Sequence, residues 1–392
     1  MKKYIIVTGA SFTNKGIQAM TYITADEIAK RWPDCQMLVC PRRLLVQGTN
    51  IYKFEFFAGT ENFVGAKNFL FPIHPKKYHE IMSNTEALID ISGYNAGSDW
   101  SEKSNIYYIK TRLIDPKIYN IPVYLMPQSF GPFGFQGIIG KIIMLAFEHY
   151  LPYAKLIMAR ENDGKQRLIE AFGLKNVIKE NDLVLQNKGI TVENVFRNNH
   201  VLKVPEVASH KCVAVIPNVK NERNRKINNM MSIYQLLINK LMHAGFKVYI
   251  LHHSPEDAGM CKRIKERFFN DEERVEVISQ ELDCLEFDVF VSKMDFIVAS
   301  RYHAIVHAFR RNVPALVIGW AVKYYELLKL AGQEPYHFDS REPIKEEAVC
   351  NALEKMIINY KSESEKIRKA VDEVQKENVF DYIKLKRELT EK

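Results

Sequence analysis

Residues 295–318 constrain the fold more tightly than any other part of this chain. Phe296-Ile297-Val298-Ala299, following Asp295, is a short continuous apolar run, the pattern of a strand buried on both faces. Ile305, Val306 and Phe309 then recur at the spacing of one helix face, and Val313-Pro314-Ala315-Leu316-Val317-Ile318 is a second apolar run. Strand, sharp turn, helix, strand is the unit of an open parallel α/β sheet, which binds ligands outside the carboxyl ends of its strands. The turn carries Ser300, Arg301, Tyr302 and His303. Ser300 is placed to cap the helix, whose first free N–H groups and positive dipole end favour an anion. Arg301 adds a planar fork that matches carboxylate or phosphate oxygens. The segment predicts an anionic small molecule as ligand.

The same alternation runs through the rest of the chain. Strands are predicted over residues 3–9, 36–40, 87–92, 122–128, 155–159 and 177–180, and helices over 15–31, 76–83, 137–150 and 163–172. Residues 47–71, rich in Phe and Asn, fit neither pattern. The polar segment 186–210 interrupts the series and reads as a linker. Strands at 212–217, 247–251 and 275–279 follow, with helices at 225–244, 257–269 and, after the opening segment, 324–331. From residue 342 the chain is helical and highly charged, and either packs across the first domain or stays solvated. The expected fold is α/β, with two Rossmann-like domains facing a cleft in the glycosyltransferase-B arrangement. Its N-terminal domain spans 1–190, its C-terminal domain 205–340, and its helical tail 341–392.

The 392 residues exceed what one hydrophobic core usually serves. A formal net charge of +8 suits anionic substrates or an acidic membrane surface. There is no arginine-rich arm, zinc spacing or aromatic-basic repeat, so nucleic acid is not an expected partner. The six cysteines show no Cys-x-x-Cys spacing and read as reduced thiols of a cytoplasmic protein. The opening run Tyr4-Ile5-Ile6-Val7 is cut short by Gly9 and reads as a strand, not a signal peptide. The most apolar helix, at 137–154, carries Lys141, Glu148 and His149 and is too interrupted to span a bilayer. At most a peripheral membrane contact is expected.

Several strand ends carry polar or glycine-rich turns. The first βα turn lacks both the Gly-x-Gly-x-x-Gly spacing and a P-loop. There Asn14 is placed to cap the helix, Lys15 sits at its start, and Gly16 allows a ligand close to the backbone. Gly93, Tyr94, Gly97 and Asp99 follow the strand at 87–92, while Gln128, Ser129, Gly131 and Pro132 end the strand at 122–128. Arg160 directly follows the strand at 155–159, with a salt bridge to Glu161 as its structural alternative. In the second half His252-His253 end a strand, so either faces the cleft. Lys323 ends the last apolar strand, as a point charge toward an anion or as a solvated amine. His303 and His307 stand at i, i+4, but the Glu of His-Glu-x-x-His and a third ligand are missing. No metal is expected, and His307 reads as a hydrogen-bonded core histidine. The basic run Arg223-Asn224-Arg225-Lys226 reads as a solvated helix start.

In chain order, Asn14-Lys15-Gly16 with Gln18-Ala19-Met20, Asp90-Ile91-Ser92-Gly93 and Pro127-Gln128-Ser129-Phe130-Gly131-Pro132 resemble the polysaccharide pyruvyl transferase family. So do Ala159-Arg160-Glu161, Asn181-Asp182, and Ser300-Arg301-Tyr302-His303 through Pro314 and Lys323. Where many members have Gly-Gly, this chain has Gly93-Tyr94-Asn95. The resemblance implies phosphoenolpyruvate as donor, transfer of its pyruvyl group to two hydroxyls of a sugar as a cyclic ketal, and release of phosphate. No cofactor is expected. The acceptor would belong to a cell-surface polysaccharide or its precursor, free or lipid-linked.

The family's donor site maps onto Arg160, Arg301, the backbone of Tyr302 and His303. The expected catalytic set is His303, Arg301 and Arg160. Asn14, Lys15, Gly16, Asp99, Gln128, Ser129, His253, Ser300, Tyr302 and Lys323 are the expected substrate-binding residues. A phosphate and a carboxylate on one small donor call for two cations, and Arg160 and Arg301 would clamp it from the two domains. His303 titrates near neutrality and suits the general acid that protonates the donor's methylene carbon. Asp99, Asp182, a water or the phosphate itself would serve as base. A sugar-nucleotide-dependent glycosyltransferase of the same architecture and a non-catalytic anion-binding protein are the competing readings. The acceptor sugar and the oligomeric state are left open.

Overall fold

A computed structural model describes residues 2–41, 49–57, 75–209, 211–223, 229–341 and 343–390. One sheet contains β1 (Lys3–Ala10), β2 (Cys35–Pro41), β3 (Glu55–Phe56), β4 (Thr85–Asp90), β5 (Tyr94–Ala96), β6 (Val123–Phe130), β7 (Leu156–Ala159) and β8 (Val177–Lys179). Its order is β3-β2-β1-β4-β6-β7-β8, with β5 paired to the end of β6. The second sheet contains β9 (Cys212–Ile216), β10 (Lys247–Leu251), β11 (Val275–Ile278), β12 (Phe296–Ala299), β13 (Ala315–Gly319) and β14 (His337–Asp339), in the order β11-β10-β9-β12-β13-β14. Every pairing in the two central trios is parallel: Val7 lies opposite both Val39 and Ile89, and Ile216 opposite Ala299. Helices cover both faces, which is why β9, β12 and β13 are apolar and buried at every position.

Both sheets reverse direction of growth at their centre, between β1 and β4 and between β9 and β12. Crevices open at such switch points. The loops that leave them are those carrying Asn14, Gly93 and Asp99 in the first sheet and Ser300 to His303 in the second. The expected two-domain α/β fold is therefore present, with the suspected residues at the carboxyl edges of both sheets.

Helices Lys15–Arg31 and Gly137–Tyr150 begin and end where their patterns place them. Helices Glu102–Ile109 and Cys284–Ser292 were not anticipated. The second is buried on most sides, so no polar face marks its period; its Asp283/Glu286 capping box was the available signal. In the unassigned stretch 47–71, a short 3-10 turn (Thr49–Ile51) and β3 are described, and 58–71 lie outside the described residues. So do 224–226 of the basic run.

The segment read as a linker begins at the end of the short helix Leu183–Gln186, contains the short helix Val192–Val195 and is anchored further on. His200 Nε2 meets Asp283 Oδ2 at 2.7 Å, and the Ala208 amide donates to the Tyr249 hydroxyl at 2.9 Å. The tail forms helix Glu346–Val374 and then returns to the first sheet. There Tyr124 donates to the Lys384 carbonyl and accepts from its amide, and Arg387 pairs with Asp34. Leu183, Val184 and Leu185 are buried in a core shared with residues of both domains, such as Met20 and Ile305 on the helices that follow β1 and β12. Each such side chain contributes about 1.5–3 kcal/mol by burial.

Candidate active site between the two sheets

The carboxyl ends of β7 and β12 converge on Tyr302, the first residue of helix Tyr302–Arg310. The Arg160 guanidinium stacks on its ring at 4.2 Å from the centroid, and Lys323 Nζ stands 5.5 Å from the same centroid. Arg160 extends directly from β7 and is buried. Its Nε donates to Glu161 Oε1 (2.9 Å), Nη1 to Asp182 Oδ2 (2.8 Å) and Nη2 to Ser129 Oγ (2.8 Å). The alternative Glu161 salt bridge is thus present, and Asp182 adds a second carboxylate. Burial opposes the charge on Arg160, but Tyr302, Glu161 and Asp182 together raise its pKa. Burial also works against the Asp182 carboxylate, yet His303 and Arg160 hold it well below the usual range.

His303 packs against the opposite domain at Gly16. A Cβ on Gly16 would lie 2.1 Å from His303 Cγ, so the glycine admits the imidazole, where a ligand was expected. His303 Nε2 is 3.5 Å from Asp182 Oδ2, the atom that also accepts from Arg160. Burial lowers the His303 pKa from its ordinary value and Asp182 only partly offsets this, so the imidazole rests neutral at pH 7. A methyl at residue 16 would have to part the domains or turn the ring away from Asp182. Gly16→Ala is expected to lower turnover about 10²-fold with an unchanged far-ultraviolet circular dichroism spectrum. Wild-type turnover in that variant would show that this contact is absent from the working enzyme.

Arg301 is held within its own domain. Its Nε and Nη2 grip Asp257 at 2.7 Å each, and Nη2 also meets Glu256. Each arginine is thus paired with two carboxylates of its own domain. Ser300 does not cap the helix: Arg301 is the N-cap residue, and Ser300 Oγ bonds the Tyr234 hydroxyl at 2.8 Å. The reason is that the Ser300 amide still follows the sheet, donating to Ile216 O, which turns the side chain into the core.

Lys323 has no carboxylate within ion-pairing distance among the described residues. It lies in the first turn of helix Val322–Leu330, past the strand end where it was expected, with its Nζ near the rings of Tyr94, Tyr302 and Tyr324. Burial, then the Arg160 charge, push its pKa down to about 8. The residue is half-buried.

Arg160, Asp182, Tyr302, Lys323, Lys179 and Glu326 line a cavity of about 540 Å³ between the domains. Glu326, which no motif marked, reaches across to accept the Asn162 and Asp163 amides (2.9 and 3.4 Å), closing the helix start opposite. Asp99 is exposed at the rim, where Tyr94 donates to it; the Tyr94 ring is 5.8 Å from Lys323 Nζ.

Gln128 lies below the cavity floor. Its Nε2 donates to Asp90, which also accepts from Thr8, Ser92 and Arg112, so this buried cluster fixes the β1, β4 and β6 ends. Arg112 had no sequence signal.

The remaining expected residues lie beyond His303. Asn14 caps its helix through Ile17 N (3.2 Å) and donates to Ser254 Oγ in the other domain (3.4 Å). Lys15 is paired with Glu281 at 2.8 Å, which also meets His252 Nε2 at 2.6 Å. Of the two histidines, His252 reaches the interface, while His253 is buried behind His303, with ring planes 9° apart. His307 is a core residue bonded to Asp288 at 3.0 Å. Among the described residues no cluster of three or more His, Cys, Asp or Glu is arranged to hold a metal, and no helix is long and apolar enough to cross a membrane.

Two Rossmann-ordered parallel sheets enclosing a cationic cleft define a fold of the glycosyltransferase-B type. Solved structures of that arrangement include S. aureus MnaA with UDP, 11% identical over 94% of this chain and 91% of that one, TM-score 0.55. Anabaena HepE in complex with UDP and glucose is also 11% identical, over 99% and 98%, TM-score 0.54. The UDP-GlcNAc 2-epimerase of Methanocaldococcus jannaschii is 12% identical over 94% and 99%, TM-score 0.53. At these identities the likeness concerns the fold alone. No curated protein sequence matches the chain. The chain belongs to the polysaccharide pyruvyl transferase family, whose family model matches residues 14–321.

Proposed function

We propose that the protein transfers the pyruvyl group of phosphoenolpyruvate to a saccharide as a ketal, with phosphate as the other product and no cofactor. The observation that carries this reading is Lys323, a cation lacking a carboxylate partner, set beside Arg160 around Tyr302 in the interdomain cavity. A small donor with two anionic groups would supply the anion Lys323 lacks and compete with Glu161 and Asp182 for Arg160, whose guanidinium suits bidentate contact with either group.

Donor binding would also ready the acid. Asp182 Oδ2 is shared between Arg160 and His303. When the donor takes up Arg160, Asp182 is left to compensate His303, which raises its proton affinity. The imidazolium gives its proton to the donor's methylene carbon, and a sugar hydroxyl attacks the adjacent cationic carbon. Phosphate leaves, and a second hydroxyl closes the ketal. The hydroxyl protons pass to solvent or to the departing phosphate.

The test is phosphate release from phosphoenolpyruvate across free and lipid-linked galactosides, mannosides and glucosaminides. Thermal shift with the same donor and with UDP-, GDP- and CMP-sugars accompanies it. At 100 times its dissociation constant the true donor stabilises by about 2.7 kcal/mol. Stabilisation by a sugar nucleotide alone would replace this reading with that of a glycosyltransferase.

Lys323 makes a pH-dependent prediction. Its free pKa is about 8, and pairing with the donor raises it, so above pH 8 binding takes up a proton. Donor affinity should fall roughly tenfold per pH unit above that point, and Lys323→Met should flatten the slope while weakening binding at pH 7. Calorimetry in buffers of different ionisation enthalpy reads the proton uptake directly; an unchanged slope in the variant would clear Lys323 of donor contact.

A further inference from the structure

Helix Gly137–Tyr150 buries one face and exposes another that is equally apolar. Ile143 and Phe147 are buried against Tyr108, Phe133 and Phe172, which is the ordinary packing of a helix on a sheet layer. On the opposite side Ile138 (80% exposed), Ile142 (58%) and Leu145 (64%) form a stripe at i, i+4, i+7, and Ile139 (49%) widens it at the start. Ile358, by contrast, is an exposed apolar side chain that stands alone on its helix, and such a residue needs no partner. We propose that this face seats the protein on the surface of an anionic lipid bilayer and so presents the cavity to a membrane-anchored acceptor.

Size and charge both favour a bilayer over a second copy of the chain. A stable protein interface buries roughly 800 Å² per partner, far more than one helical stripe of four side chains offers. An amphipathic helix, by contrast, sinks its apolar face only about 5–10 Å into the headgroup boundary. Cations border the stripe: Lys141 is exposed on the helix, exposed Lys117 has its Nζ 5.2 Å from the Tyr150 ring at the helix end, and Lys155 is exposed just beyond. Glu148 is the helix's own exposed carboxylate. Ile118, next to Lys117, is also exposed.

The face also adjoins the site. The turn 132–136 leads into the helix from Gly131, whose carbonyl accepts from Tyr94, and the Tyr94 ring borders Lys323. A saccharide held at the membrane by a lipid would thus enter from the side the stripe occupies. This use of the surface rests on the transferase reading above, but membrane binding itself does not.

The experiment is co-sedimentation of the full chain with vesicles of mixed phosphatidylcholine and phosphatidylglycerol, and with vesicles of phosphatidylcholine alone. The wild-type protein is expected on the mixed vesicles and several-fold less on the neutral ones. The triple variant Ile138→Glu, Ile142→Glu, Leu145→Glu should lose roughly a hundredfold in partitioning. Lys141→Gln should lose about fivefold on the anionic vesicles only. Ile358→Glu, at an isolated exposed site, should bind as wild type. Because all these positions are exposed, melting temperatures should be unchanged.

Failure of the wild-type protein to sediment with mixed vesicles, or equal sedimentation of the triple variant, would overturn the proposal. A wild-type dimer in light scattering that the triple variant dissolves would overturn it in favour of an interface between copies. Sedimentation as expected, with no transfer to any saccharide, would support the surface while removing the transferase reading. Transfer to a soluble saccharide without sedimentation would do the reverse.

Discussion

His303→Ala is expected to lower turnover by roughly 10²–10⁴-fold while leaving the donor's dissociation constant within a few-fold of wild type. The split follows from where the imidazole sits. On the proposed reading the donor's anionic groups would be met by Arg160 and Lys323, which line the cavity, whereas His303 would supply the proton, its Nε2 standing 3.5 Å from the Asp182 oxygen that Arg160 uses. Removing the ring therefore deletes the proton and keeps the charges that bind. The substitution opens space opposite Gly16 without uncovering a buried charge, because Asp182 keeps its 2.8 Å bond to Arg160. Stability should accordingly change little.

A pH profile separates proton donation from a positioning role. Wild-type kcat should decline on the alkaline side as the donor-bound imidazole loses its proton, and that limb should vanish in His303→Ala. Single-turnover phosphate release, measured with saturating donor and acceptor, gives the rate. A variant that releases phosphate at near wild-type rate would exclude the imidazole as the acid.

How much of this was legible beforehand depends on what each residue needs from its neighbours. The alternation of apolar runs announced two parallel sheets because buried parallel strands have no polar face to disguise them, and β12 and β13 show this at every position. The places of Arg160, Tyr302, His303 and Lys323 at the carboxyl edges of the sheets were readable because each lies at or just past a strand end. The partners were not. Glu326, Asp257 and Glu281 approach the site from helices and loops whose sequence carries no motif; the packing of the two domains brings Glu326 to Asn162 and Glu281 to Lys15, and the fold of the second domain brings Asp257 to Arg301. Pairing of Arg301 with Asp257 was hidden for the same reason, although Asp257 lies only four residues past His253. Ser300 misled because a serine before a helix is a common cap; here the competing bond to Tyr234 comes from a helix some seventy residues away in sequence.

Arg160→Met is expected to cost about 3–5 kcal/mol of stability as well as donor affinity, the usual consequence of removing one partner of a buried ion pair. Asp182 is fully buried and would keep no charged partner, because its other neighbour His303, 3.5 Å away, rests neutral. The double variant Arg160→Met, Asp182→Asn removes the stranded carboxylate too, so most of the stability should return while donor binding stays lost. Acidification supplies the sign. In the wild type Asp182 has a depressed pKa, so its stabilising contribution is full above the ordinary carboxylate pKa of about 4 and is lost as pH falls through the lower folded value. In Arg160→Met the stranded carboxylate has its pKa raised by burial, so stability should rise as pH drops from 7 toward 5. Urea unfolding of wild type, single and double variants at both pH values checks each step. If the double variant recovered donor affinity together with stability, Arg160 would be a structural residue, and the cavity's anion would have to be held by Lys323 without it.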